Sequence, residues 1–187
     1  MSVFPFLRGK RTWFNTEQGY GIISVILHGV SALLVFGLFA LGFWMVTLSY
    51  YDPWYKQAPF YHKSIGVLFF VLLIIRLLVR WRGAEVLPAA GLQRWERLAA
   101  AWGHRSLYVG MLLVPLLGYG ISTADGRGIE VFSWFTIPAL PFAWARQEDV
   151  MGLLHKWGAY ALVTLALGHA AAAIHHGRRV WRRMFTF

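Results

Sequence analysis

Four histidines set in long apolar runs are the residues of this sequence best placed to do chemistry: His28, His62, His155 and His169. An imidazole is a strong metal ligand and a costly group in hydrocarbon, so each one needs a reason to be where it is. His155 and His169 share one run, Met151 to His176, fourteen positions apart. On a helix that spacing is about 21 Å of rise and close to four whole turns, so both rings leave the same face at different depths. A helix that presents two polar ligands at two depths serves two centres, provided the rest of the chain supplies a matching histidine at each depth.

The elements that must position these rings follow from composition. With 187 residues, 58% of them hydrophobic, and a mean hydropathy of +0.51, the chain is too apolar for an ordinary soluble domain. Its apolar residues come in membrane-length blocks, which makes it an integral membrane protein. The net charge of +10 comes from 18 Lys and Arg that sit mostly between and after those blocks. Membrane topology accounts for them, so the basic balance does not indicate a nucleic-acid partner. The absence of cysteine excludes disulfides, thiolate metal sites, iron–sulfur clusters and covalent haem attachment.

Four spans are expected, at about 22–48, 62–80, 106–121 and 151–174, with residues 1–187 read as a single membrane domain. The first run follows Arg8, Lys10 and Arg11 but is far longer than a signal-peptide core, so it is read as a retained transmembrane helix. Asp52-Pro53 and Pro59 mark a turn with headgroup-level aromatics before the second span. Residues 81–106 read as a more polar connection broken by Pro88 and Gly91, in which QRWERLAAAW forms a short interfacial helix. The third span is short, and Pro115, Gly110, Gly118 and Gly120 predict a kink and close packing.

The connection Ser122 to Val150 contains IEVFSWFTIPALPFAWA, apolar enough to be taken for another span. Pro138, Pro141 and its aromatic content favour an interfacial or re-entrant segment. Charge supports this count. With four spans, Arg8, Lys10 and Arg11, then Arg82, Arg94, Arg97 and Arg105, then Arg178, Arg179, Arg182 and Arg183 all face the cytoplasm, while the other two loops carry only Lys56, Arg127 and Arg146. The expected fold is all-α, a four-helix membrane bundle with both termini cytoplasmic.

Helix direction then pairs the histidines by depth: His28 with His169 on the cytoplasmic side, His62 with His155 on the outer side. Haem iron of b type takes two neutral imidazoles along one axis, and a bundle can clamp the flat macrocycle between facing helices. Two depth-matched pairs therefore predict two b-type haems held by these four residues. Gly29, Ser31, Ser64, Gly66, Gly158, Gly168 and Ala170 to Ala173 lie next to the ligands and suit either a porphyrin face or plain helix packing. A lone intramembrane histidine would fit a hydrogen bond or proton relay equally well. Acidic co-ligands for zinc are missing from the spans, and Met45, Met111 and Met151 offer no second matched set.

Other residues keep two readings. His104, His175 and His176 fit interfacial histidines, or groups that bond a propionate or a quinone or deliver protons. Arg76 and Arg80, one turn apart, fit snorkelling or charge-assisted bonds to propionates. Lys63 and Lys156, each directly after an outer histidine, mark the interface or draw small anions toward the outer centre.

These stretches resemble the bacterial cytochrome b561 family of four-helix dihaem membrane cytochromes. The resemblance rests on LHGVSALLVFGLFALGFWMVTLSYYD, YHKSIGVL, IRLLVR, GHRSLY, GYGISTADGRGIEVF, LLHKWGAY and GHAAAAIHH, and runs from about Tyr20 to His176. It implies an inner-membrane protein with two non-covalent haems at His28, His62, His155 and His169, and electron exchange with the quinone pool. For the best-known type it further implies superoxide oxidation at the outer haem with ubiquinone as acceptor, Lys63 and Lys156 attracting the anion. One departure is Gly29 after the first histidine, where the family pattern has tryptophan. The expected function is thus transmembrane electron transfer by a dihaem cytochrome b, superoxide to ubiquinone being the leading reaction. The rivals are an anchor subunit relaying electrons between a partner dehydrogenase and quinone, and a haem-free transport bundle.

Overall fold

A computed structural model describes residues 12–87, 91–141, 144–177, 180 and 184. Arg8, Lys10, Arg11, Pro88 and the tail arginines Arg178, Arg179, Arg182 and Arg183 lie outside the described residues. The elements are α1 (Ile22–Met45), α2 (Gln57–Arg82), α3 (Arg94–Ser122), β1 (Ile129–Val131), β2 (Phe135–Ile137) and α4 (Gln147–His176). In hydrocarbon every backbone N–H and C=O must be bonded within the segment, and long apolar runs can do so only as helices. All four helices are long and apolar enough to cross a membrane, so the protein is an all-α four-helix membrane bundle. Among the described residues its one sheet is the two-stranded hairpin between α3 and α4.

The third helix departs from expectation. It starts at Arg94, so the stretch expected as a separate interfacial helix is the first part of α3. The Gln93 side chain accepts from the backbone of the first turn, and Glu96 Oε2 lies 2.6 Å from the Gln93 N–H. That reciprocal cap fixes the start, and LAAA continues the helix without a break. At 29 residues, α3 is about 44 Å long, enough for the hydrocarbon core and both headgroup layers. Pro115 sits inside it and removes one helical hydrogen bond.

The Ser122 to Val150 connection forms no span. It holds the antiparallel hairpin, with Val131 paired to Phe135 and Ile129 to Ile137. The turn places Phe132 and Ser133 at φ of 47° and 59°, a left-handed conformation that side chains resist. Ser64 at the start of α2 supports it: the hydroxyl accepts from Phe132 N–H at 3.2 Å and donates to the Glu130 carbonyl at 3.4 Å. Tyr119 donates to the Pro138 carbonyl at 2.8 Å, and Gln147 Nε2 to the Gly120 carbonyl at 2.8 Å. The loop is therefore tied to α2 and α3, and α4 to α3, at one end of the bundle, called the hairpin end below.

Helix packing is uneven: α3 lies closely on α4 and α1 on α2, while α1 meets α4 and α2 meets α3 more loosely. Glycine explains the tight α3–α4 seam. A Cβ on Gly110 would stand 3.1 Å from Leu162 Cδ1, one on Gly120 3.1 Å from Met151 Cγ, and one on Gly158 3.3 Å from Val114 Cγ2. Two close pairs thus face one another across a looser seam.

Candidate functional site

Positions seven residues apart on every helix build three layers across the bundle. Nearest the hairpin are Gly42, His62, Gly118 and His155; in the middle are Val35, Phe69, Met111 and Leu162; at the far end are His28, Arg76, His104 and His169. Seven residues are nearly two turns, so each trio stays on the face that looks into the bundle. The middle layer, joined by Leu73, is the buried apolar core. Polar groups therefore stand at two heights with a dry layer between them.

At the hairpin end the rings of His62 and His155 have centroids 6.1 Å apart and planes 76° apart. At the far end His28 and His169 also stand 6.1 Å apart, with planes at 83°. Each pair bridges the loose seam, one ring from α1 or α2 and the other from α4. A ring nitrogen lies about 1.1 Å from its centroid, so nitrogens turned toward one another would have about 3.9 Å between them, room for one metal ion with bonds of about 2 Å to each side.

The hairpin-end pair carries further marks of a ligand set. His155 Nδ1 is 2.9 Å from the Val114 carbonyl oxygen. A carbonyl only accepts, so Nδ1 holds the proton and Nε2 keeps its lone pair for a metal. His62 Nδ1 is buried without a hydrogen bond in good geometry. Behind each ring stands a glycine: a Cβ on Gly42 would lie 3.1 Å from His62 Cε1, and one on Gly118 3.1 Å from His155 Cε1. In front of them is an apolar cleft, open on one side and lined from all four helices by residues that include Val35, Phe39, Gly66, Phe69, Pro115 and Ala159. That is the apolar, concave kind of space a flat cofactor needs. The residues at this end fit a b haem.

At the far end, Arg76 Nη2 lies 3.0 Å from His28 Nδ1. Guanidinium has no acceptor, so Nδ1 accepts here. Ligation through Nε2 puts the ring proton on Nδ1 and sends Arg76 to another acceptor. Arg76 and Arg80 both lie over the Tyr108 ring, at 5.2 and 5.5 Å. This end fits a bis-imidazole centre by spacing, with arginines at hand for carboxylates.

His104 belongs inside the far layer, although an interfacial place was the leading expectation for it. Its ring centroid is 5.0 Å from that of His169, with planes 64° apart. The signal that could have found it is the repeat His104, Met111, Gly118, which runs in step with the repeats of the other helices. Gly42 was missed in the same way. His176 approaches Glu96 at 3.8 Å, and His175 is exposed. Lys63 and Lys156 are exposed and, one residue beyond each histidine, point about 100° round the helix from the ring. Neither makes an ion pair among the described residues.

The small residues divide between the two readings. Gly66 lines the hairpin-end cavity, and a Cβ on Gly29 or Gly168 would meet nothing within 4 Å. Gly158 serves helix packing. Ser64 holds the hairpin, Ser31 bonds the Leu27 carbonyl at 2.6 Å, and Ala170 to Ala172 face outward. No three His, Asp or Glu side chains gather as a bare metal-ion site among the described residues.

Comparison with known proteins adds a family. Residues 19–187 match the family model described as prokaryotic cytochrome b561. The chain is 46% identical over 162 residues to "Cytochrome b561 homolog 2" of Escherichia coli (strain K12), covering 87% of this chain and 86% of that one. It is 26% identical over 117 residues to "Cytochrome b561 homolog 1" of the same organism, covering 62% and 65%.

Proposed function

Because the chain belongs to the prokaryotic cytochrome b561 family, and is thus a multi-pass membrane b-type cytochrome of electron transport, we propose that it binds two b haems, one at each histidine layer. His62 and His155 ligate one and His28 and His169 the other. The observation that carries this reading is the pair of 6.1 Å imidazole separations, repeated at two heights on one helix. A b haem between two imidazoles supplies a one-electron centre whose ligands are unchanged by reduction. The chain's own work is to hold the four rings, exclude water with the Val35, Phe69, Met111 and Leu162 layer, and neutralise propionates with Arg76 and Arg80. Family membership sets aside the haem-free transport bundle.

The hairpin end is the periplasmic side in this proposal, and both termini are cytoplasmic, on the arginine bias of the loops. The proposed net reaction takes one electron from each of two superoxide ions, releasing two dioxygen molecules, and gives both electrons with two protons to ubiquinone. Lys63 and Lys156 raise the local concentration of the anion at the hairpin end. Two measurements test the proposal. His28→Ala and His169→Ala lose the same haem, His62→Ala and His155→Ala the other, each haem-to-protein ratio falling from two to one. Ubiquinone reduction by the purified protein during a superoxide pulse exceeds the uncatalysed background; a rate at background ends the superoxide role. Co-purification with a stoichiometric dehydrogenase, with haem that superoxide leaves oxidised, supports the anchor-subunit reading instead.

A further inference from the structure

The two layers are built alike except on α3. Where the hairpin end has Gly118 behind His155, the far end has His104 against His169. At the hairpin end the proton on the α4 ligand is taken by the Val114 carbonyl at 2.9 Å. Among the described residues no carbonyl does this for His169. Its polar neighbour on α3 is the ring of His104, with a centroid separation of 5.0 Å. A nitrogen lies about 1.1 Å from its ring centroid, so at 5.0 Å one nitrogen of each ring, turned toward the other, would stand at about 2.8 Å, a hydrogen-bond distance. The 6.1 Å separations leave room for an ion, and the 5.0 Å separation does not.

We propose that His104 is the positioning residue of the far-end centre: it accepts the Nδ1–H of His169, as the Val114 carbonyl does for His155, and so fixes which His169 nitrogen ligates. The inference rests on the two-haem reading above. An imidazole nitrogen is a stronger acceptor than a peptide carbonyl, so it makes His169 the more basic ligand and favours the oxidised centre. His104 therefore sets the far-end midpoint lower than a carbonyl in its place would.

The test uses the purified, haem-replete protein with His104→Phe, which keeps a ring without an acceptor, His104→Ala, which removes both, and His104→Gln, which restores an acceptor. Haem content, the low-spin EPR signals of the ferric protein and potentiometric titration are read together. His104→Phe and His104→Ala each weaken far-end haem retention about 10- to 100-fold, move one EPR signal and raise one midpoint, leaving the hairpin-end signals in place. His104→Gln returns all three toward the unsubstituted protein. If His104→Phe folds poorly, the retained hairpin-end haem in His104→Ala and His104→Gln still decides the matter. Unchanged EPR and potentials without the acceptor, or a Gln variant as impaired as the Ala variant, overturn the proposal. A starting protein without two b-type signals overturns the two-haem reading itself.

Discussion

Gly118 offers the sharpest perturbation of the hairpin-end centre, because its missing side chain is what the His155 ring occupies. A Cβ there would lie 3.1 Å from Cε1 and 3.3 Å from Nδ1 of His155. Ordinary carbon contacts are about 3.5–4.0 Å, so Gly118→Ala must push the ring away by about half an ångström. Metal–nitrogen bonds tolerate about 0.2 Å. The same push is directed at Nδ1 and loosens its 2.9 Å bond to the Val114 carbonyl, a support whose loss costs about 10- to 100-fold in metal affinity. Overpacking of this size costs about 1–3 kcal/mol, which covers the same range. Gly118→Ala is therefore expected to lower haem affinity at the hairpin end about tenfold or more and to shift its α band. The far-end haem stays. Gly152→Ala, where a Cβ meets nothing within 4 Å, is the matched control. Titrating haem into the purified apoprotein, with low-temperature difference spectra to separate the two bands, measures both. An unshifted hairpin-end band with unchanged affinity in Gly118→Ala would refute the reasoning, since the ring would not then need the space.

Three further outcomes follow from single contacts. Leu162→Ala opens a cavity in the dry layer and lowers stability by about 2–5 kcal/mol, read as an earlier thermal unfolding in detergent, while the far-end haem is retained. Ser64→Ala leaves the Phe132 N–H without its acceptor, costs about 1–3 kcal/mol of hairpin docking, and appears as faster hydrogen exchange across residues 129–137. Asp52, in the exposed loop before α2, accepts from the Ser49 N–H at 2.6 Å and the Ser49 hydroxyl at 2.8 Å, and these bonds hold its carboxyl below the ordinary range. A folded value below the unfolded one means that the bonds stabilise the loop above the ordinary carboxylate range and are lost as pH falls through the lowered value. A carboxyl NMR titration should place Asp52 low, and Ser49→Ala should move it up.

Much of this molecule is legible in one dimension. Hydrocarbon leaves a long apolar run no option but helix, so the four-helix count followed from composition and from where the arginines stand. The same-face spacing of His155 and His169 followed from helix geometry alone, and the pairing of each with a histidine of matching depth from the span count and the direction of each helix. What one dimension left undecided depended on neighbours. The start of α3 at Arg94 hinged on a cap that a few residues make locally and that polar, aromatic composition masked. The apolar stretch after Ser122 became a hairpin because Ser64 and Tyr119, on two different helices, hold it there. His104 read as a surface histidine because nothing next to it in sequence places it inside; only the packing of α3 on α4 sets its ring against His169. Gly42 and Gly118 acquire their meaning the same way, since a glycine's role lies in which side chain fills the space it leaves. Sequence by itself determined the helices and the spacing of the histidines along them, because those depend on one element at a time. Which small residues back a histidine ring, which seal a helix seam, and which third imidazole touches His169 were decided only by tertiary packing, because they depend on two or three elements meeting.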